Sequence, residues 1–227
     1  MMRLAEREET LIIPAGRREL RSELVIPVEA KGLVLFAHRN GCNRHAARCQ
    51  FIAASLRESG LGTLLFDLLT PDEESDAALD PHPRFEIPLL ATRLGEVTDW
   101  LQGRNELPLG YFGASTGSAA ALIAASRRPR SISAVVSRGG RPDLAQDALD
   151  RVQAPTLLIV GAEDATVLEL NEDALERIPA QKHLAVVRGA THSFEEPGTL
   201  FEVGRLASDW FLDHLVTSNR NQRPRPM

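Results

Sequence analysis

Six apolar runs of strand length, residues 32–37, 62–66, 107–112, 132–137, 156–160 and 184–187, alternate along the chain with segments of helical period. A parallel sheet with crossover helices is the arrangement such alternation allows. The runs are continuous in Val, Leu and Ile rather than polar at every second position, so both faces of the sheet have to be covered. Upstream, residues 10–13 and 19–26, joined around Ala15 and Gly16, read as a β-hairpin forming an antiparallel N-terminal edge. Between the strands, Ile87, Leu90, Leu94, Val97 and Leu101 make one unbroken helical stripe. His45, Cys49, Ile52 and Leu56 make a second, with Asn43 as N-cap and Gly60 as terminator. Residues 116–128 are nearly all Ala, Ser and Gly, a composition that lets a helix lie close against a sheet, and residues 200–215 form the last helix with Val203, Leu206 and Trp210 on one side. The expectation is an α/β fold of about eight mostly parallel strands with helices on both faces. With 227 residues the chain suits one domain, 1–217, followed by a flexible basic, Pro-rich tail, 218–227, that carries Arg220, Arg223 and Arg225.

Several function classes are excluded at this level. No apolar run approaches the roughly 18 residues of a membrane helix. Residues 1–10 are charged and lack a signal-peptide core, which points to the cytoplasm. A net charge of -5, with that single basic cluster, offers nucleic acid no footprint. The expected partner is a small molecule, and the expected assembly a monomer or homodimer. Cys42 and Cys49 are too few for a disulfide framework and read as free thiols. Together with His45 they suggest zinc at first sight, but three local ligands with Cys49 on a buried stripe make a poor site, so no metal is expected.

Gly113-Ala114-Ser115-Thr116-Gly117 is the sharpest chemical signal, because this G-x-S-x-G pattern sits between a strand and a small-residue helix. A serine in that context occupies a strained turn with its hydroxyl above the sheet, flanked by glycines where a Cβ would collide, and the next helix aims backbone N–H groups at the site. A serine hydroxyl needs a base, and the base a third group that fixes its tautomer. Asp164 follows the strand at 156–160, 49 residues beyond Ser115, and His192 follows the next strand, 28 residues further on. All three lie past the carboxyl ends of strands, where open α/β sheets place their sites. Glu163 is the rival acid and Asp143 a more distant one.

Through Gly113 to Gly117, Gly161 to Asp164, Gly189 to His192 and Phe36-Ala37-His38, the chain resembles the α/β-hydrolase superfamily and within it the dienelactone hydrolase-like branch. The resemblance runs over nearly the whole chain and implies Ser115 as nucleophile, His192 as general base and then acid, and Asp164 as the orienting acid, with no cofactor. Many members of the branch use cysteine; serine points toward ordinary carboxylic esters or lactones. The resemblance also implies an oxyanion hole from the backbone N–H groups of Asn40 and Thr116, with the Asn40 side-chain amide as an alternative donor. Here the segment His38-Arg39-Asn40-Gly41-Cys42 departs from the family pattern, since Arg39 stands at the position of the family's glycine. A lost oxyanion donor costs about 2.7 to 4 kcal/mol, so this loop bears directly on turnover. His38, Arg39, Cys42 and Arg138 are the expected pocket residues, with Arg39 and Arg138 equally readable as surface or salt-bridging arginines.

Two competing readings stand beside the ester hydrolase. A nucleotide-dependent oxidoreductase is suggested by the spacing of Gly110, Gly113 and Gly117, but these glycines follow a late strand, and Tyr111 lacks a lysine four residues on. The other is a catalytically impaired or engineered hydrolase-fold protein, whose altered loop at Arg39, Asn40 and Cys42 permits acylation or binding without efficient turnover.

Overall fold

The computed structural model describes residues 7–37, 45–70, 72–73 and 83–221. Eight strands, β1 (Arg7–Ala15), β2 (Arg18–Ile26), β3 (Leu33–Ala37), β4 (Gly62–Phe66), β5 (Leu109–Ala114), β6 (Ile132–Arg138), β7 (Thr156–Gly161) and β8 (Lys182–Val187), form one sheet in the order β1-β2-β4-β3-β5-β6-β7-β8. β2 pairs antiparallel with both β1 and β4, and all pairings from β4 to β8 are parallel. Helices α1 (Ala47–Glu58), α2 (Pro83–Leu101), α3 (Thr116–Arg127), α4 (Ala165–Arg177) and α5 (Thr199–Asn221) cover it, with an irregular 3₁₀ stretch at Pro142–Arg151.

The continuous apolar strands divide by the period of the pleat. Leu33, Leu35 and Ala37 of β3 join a core with α2 and α3, whereas Val34 and Phe36 face the other way into a core with α1 and α5. The predicted stripe on α2 is buried along its whole length, from Ile87 to Leu101. α3 is buried on nearly all sides, which its small side chains make sterically possible.

Boundaries moved where local chemistry overrode the apolar pattern. β5 starts at Leu109, after Pro108, and runs on through Gly113 and Ala114, small residues that the pattern assigned to the turn. α2 begins at Pro83, ahead of the first residue of the predicted stripe, because proline suits a first helical position. α1 begins at Ala47 with Ala46 as its cap, so the proposed cap Asn43, outside the described residues, is replaced. His45 precedes the helix and lies 3.3 Å from Glu23 rather than on the buried stripe, while Cys49 is buried as predicted. Among the described residues no helix is long and apolar enough to cross a membrane.

One buried ion pair escaped the sequence reading. Arg93 of α2, 5% exposed, donates to Glu73 at 2.6 Å and to the Leu68 carbonyl at 2.7 Å. Glu73 also accepts from the Thr70 backbone N–H and hydroxyl. The Arg93 guanidinium and these donors hold the Glu73 carboxyl down to about 2 from 4.5. Its folded-state pKa being depressed, the pair stabilises the fold fully above pH 4.5 and loses that contribution as the pH falls toward about 2. Glu73→Gln is therefore expected to cost about 3 kcal/mol near neutral pH, since an almost buried guanidinium loses its counter-charge. Urea unfolding of both proteins across the acid range checks this: the gap between them should narrow below pH 4.5.

Candidate active site

The three chemically distinctive residues sit at the carboxyl end of the parallel strands. Ser115 follows β5 and caps α3 with φ 51° and ψ -125°, a region in which a residue with a Cβ is strained. Its side chain makes no capping bond. The backbone is held instead: the Ser115 N–H donates to the Arg138 carbonyl at 3.3 Å, and the Ser115 carbonyl accepts from the N–H groups of Ser118 and Arg141, each at 3.1 Å. The turn also needs Gly113, where a Cβ would stand 2.6 Å from the Cα of Ser118. Thr116 opens α3, so its N–H is one of the helix's first, unpaired donors.

Asp164 follows β7 and stands at the cap position of α4, yet its carboxylate makes no capping bond. It meets Nδ1 of His192 at 2.7 Å instead, the carboxylate 16% and the imidazole 48% exposed. A neutral ring that donates its Nδ1–H to Asp164 keeps the lone pair on Nε2, the state a general base requires. Of the rival acids, Asp143 is taken by a two-point pair with Arg141 at 2.8 Å, and Glu163 makes its resolved contact through its backbone N–H, to the Ala190 carbonyl.

The loop carrying His192 is fixed from several sides. Thr191 donates its N–H and hydroxyl to Glu196, and Arg48 of α1 donates to the Ser193 carbonyl at 3.1 Å and to Glu195 at 3.0 Å. Phe194 is buried with φ 54°. Arg138, predicted in the pocket, ends β6 opposite Ala114, lays its guanidinium 5.0 Å from the centre of the Phe194 ring, and reaches the His192 carbonyl at 3.5 Å. It thus borders the same site. Arg48 and Phe194 were missed by the sequence reading; only their tertiary contacts mark them. His38, Arg39, Asn40 and Cys42 lie outside the described residues; β3 ends at Ala37, paired with Gly113 of β5. Tyr111, central to the oxidoreductase reading, is completely buried in the sheet, its phenol bonded to the Thr98 hydroxyl and its pKa pushed up by burial. A phenol so enclosed reaches no substrate.

Close backbone packing sets the distance between β7 and the His192 loop. A Cβ on Gly161 would stand 2.3 Å from the Ala190 carbonyl oxygen and 2.7 Å from that of Thr191. Gly161→Ala is expected to destabilise by about 1–3 kcal/mol, as overpacking against unyielding backbone does. A fall in melting temperature relative to the unsubstituted protein measures it.

A sheet of this order, with a strained serine after β5, a carboxylate after β7 and a histidine after β8, defines an α/β hydrolase. No family model matches the chain. The crystal structure of dienelactone hydrolase from Anabaena variabilis superposes with a TM-score of 0.88 at 50% identity, covering 92% of this chain and 99% of that one. The chain therefore belongs to the dienelactone hydrolase family. Est1E from Butyrivibrio proteoclasticus, 17% identical, shares the fold with a TM-score of 0.73 over 90% of this chain and 98% of its own. Two proteins of Mycobacterium tuberculosis, with the provisional name phosphoribosyl transferase, are 52% identical over 212 residues, 92% of this chain but 47% of theirs. The chain spans about half the length of these curated relatives.

Proposed function

We propose that this chain is a serine hydrolase of small carboxylic esters or lactones, with Ser115 as nucleophile, His192 as base and Asp164 as orienting acid. The observation that carries the reading is the pairing of a serine with φ 51° and an uncapping side chain with a 2.7 Å His192–Asp164 bond at the same end of the sheet. Ser115 Oγ attacks the ester carbonyl carbon as His192 Nε2 takes its proton. The oxyanion forms against the N–H of Thr116 and, by the family resemblance, that of Asn40. Collapse breaks the bond to the alcohol, which receives the proton from His192, and leaves an acyl-serine. Water, deprotonated by His192, attacks the acyl carbon, and collapse breaks its bond to Ser115 Oγ, which takes the proton back from His192 as the acid leaves. Asp164 stays ionised and steadies the imidazolium in both halves. The openness of His192 and Ser115 to solvent suits a small substrate and the entry of that water.

The name of the longer mycobacterial relatives describes whole proteins of about twice the matched length. For this chain the test is a fluorophosphonate probe combined with release of p-nitrophenol from short-chain esters. Labelling of Ser115 with sustained turnover supports the hydrolase. Labelling with a single burst of product supports the alternative in which the segment containing Arg39, Asn40 and Cys42 stalls deacylation, and absence of labelling overturns the triad.

A further inference from the structure

The segment after β6 ties the serine turn to the helix that follows the acid. The Arg141 N–H donates to the Ser115 carbonyl at 3.1 Å, so the strained serine is anchored there. The carbonyl of the preceding residue, Gly140, accepts from Asn171 Nδ2 at 3.0 Å. Asn171 belongs to α4, which begins immediately after Asp164, and its side chain is also held by a 2.7 Å bond to the Val167 carbonyl one turn back. It is completely buried, and its Oδ1 has no hydrogen-bond partner among the described residues. A buried amide with an unsatisfied oxygen costs free energy that an apolar residue of similar shape would not, so packing does not explain an asparagine here. The other side of Gly140 is closed too. A Cβ on it would stand 2.1 Å from Ser137 Oγ and 2.5 Å from Ser118 Oγ, both buried hydroxyls, and Ser118 lies on α3 one turn past Ser115.

We propose that Asn171 is a positioning residue for catalysis, joining the acid-bearing helix to the nucleophile turn through Gly140 and Arg141 so that Ser115 and the Asp164–His192 pair keep one frame. This rests on the reading of Ser115 as nucleophile. Asn171→Leu is expected to lower kcat on p-nitrophenyl acetate and the fluorophosphonate labelling rate together by about 10²-fold, the scale of a reacting group displaced by about 1 Å, with KM unchanged. Asn171→Asp, of the same shape but without an N–H to offer when ionised, should repeat the loss. Thr156→Val serves as the stability control, since it removes a buried hydroxyl bonded to the Ala154 carbonyl at the opposite end of β7; it should lower the melting temperature while kcat stays at the wild-type value. Wild-type kcat in both Asn171 variants would overturn the proposal, as would a loss of kcat no greater than that of the Thr156 control at equal loss of melting temperature. Turnover retained by Ser115→Ala would overturn the nucleophile assignment beneath it, so the two failures are told apart by that single variant.

Discussion

Ser115→Ala is expected to remove nearly all ester hydrolysis, lowering kcat by about 10⁴- to 10⁶-fold, the range found when a triad nucleophile is deleted. The loss should fall on kcat, because the missing oxygen forms its bond to the substrate only as the reaction proceeds. Labelling by a fluorophosphonate should vanish with it. Folding should change little: Ser115 is exposed, its hydroxyl makes no capping bond, and alanine has the same Cβ to place at φ 51°. The melting temperature is therefore expected to stay within about 2 °C, since an exposed change outside any packed contact falls within about ±0.5 kcal/mol. A variant that melts like wild type yet neither labels nor turns over isolates the chemical role of the oxygen from any structural one. Substantial remaining turnover would show that the hydrolysis arises elsewhere.

What could be read in advance follows from how each feature is encoded. The parallel core was legible because β3, β5, β6 and β7 are buried on both faces, which makes their apolar runs continuous. The hairpin was legible as two runs, 10–13 and 19–26, joined around Ala15 and Gly16, although β1 proved longer, with Arg7, Glu8 and Glu9 in an edge strand where charge is tolerated. The positions of Ser115, Asp164 and His192 after strand ends were legible because glycines mark those ends: Gly113 late in β5, Gly161 closing β7 and Gly189 just after β8. Bonds between distant segments leave no local pattern. Arg48 contacts the His192 loop, Arg93 meets Glu73, and Asn171 reaches Gly140, each across at least 20 residues of sequence. Nothing in the surroundings of an arginine or asparagine in a helix marks it as buried against a particular carbonyl. The boundary of α1 failed for a related reason: helical period was extended back to His45, whose place is set by Glu23 on another strand.

Asp164→Asn should be nearly as damaging as loss of the serine, lowering kcat by about 10⁴-fold while leaving the fold intact. The substitution is almost isosteric, and Asp164 makes no capping bond to α4, so the fold loses at most the favourable charge at the helix N-terminus, about 0.3–1 kcal/mol. Its effect lies in the tautomer. At 2.7 Å from Nδ1, the carboxylate is an obligatory acceptor and draws the ring proton to Nδ1. An amide in the same place offers an N–H₂ group, and when that faces Nδ1 the ring proton moves to Nε2, where it blocks acceptance of the serine proton. The charge that steadies the imidazolium is lost as well. Raising the pH cannot restore activity, because no titration returns the acceptor, whereas a merely misplaced acid would give a profile parallel to wild type. Glu163→Gln provides the contrast: its neighbour already holds His192, so removal of that charge should change kcat by about twofold at most, the effect of an exposed substitution of about 0.5 kcal/mol. If instead Glu163→Gln proved the inactive variant and Asp164→Asn the active one, the carboxylate bonded to His192 in the structure would not be the one that serves it during turnover.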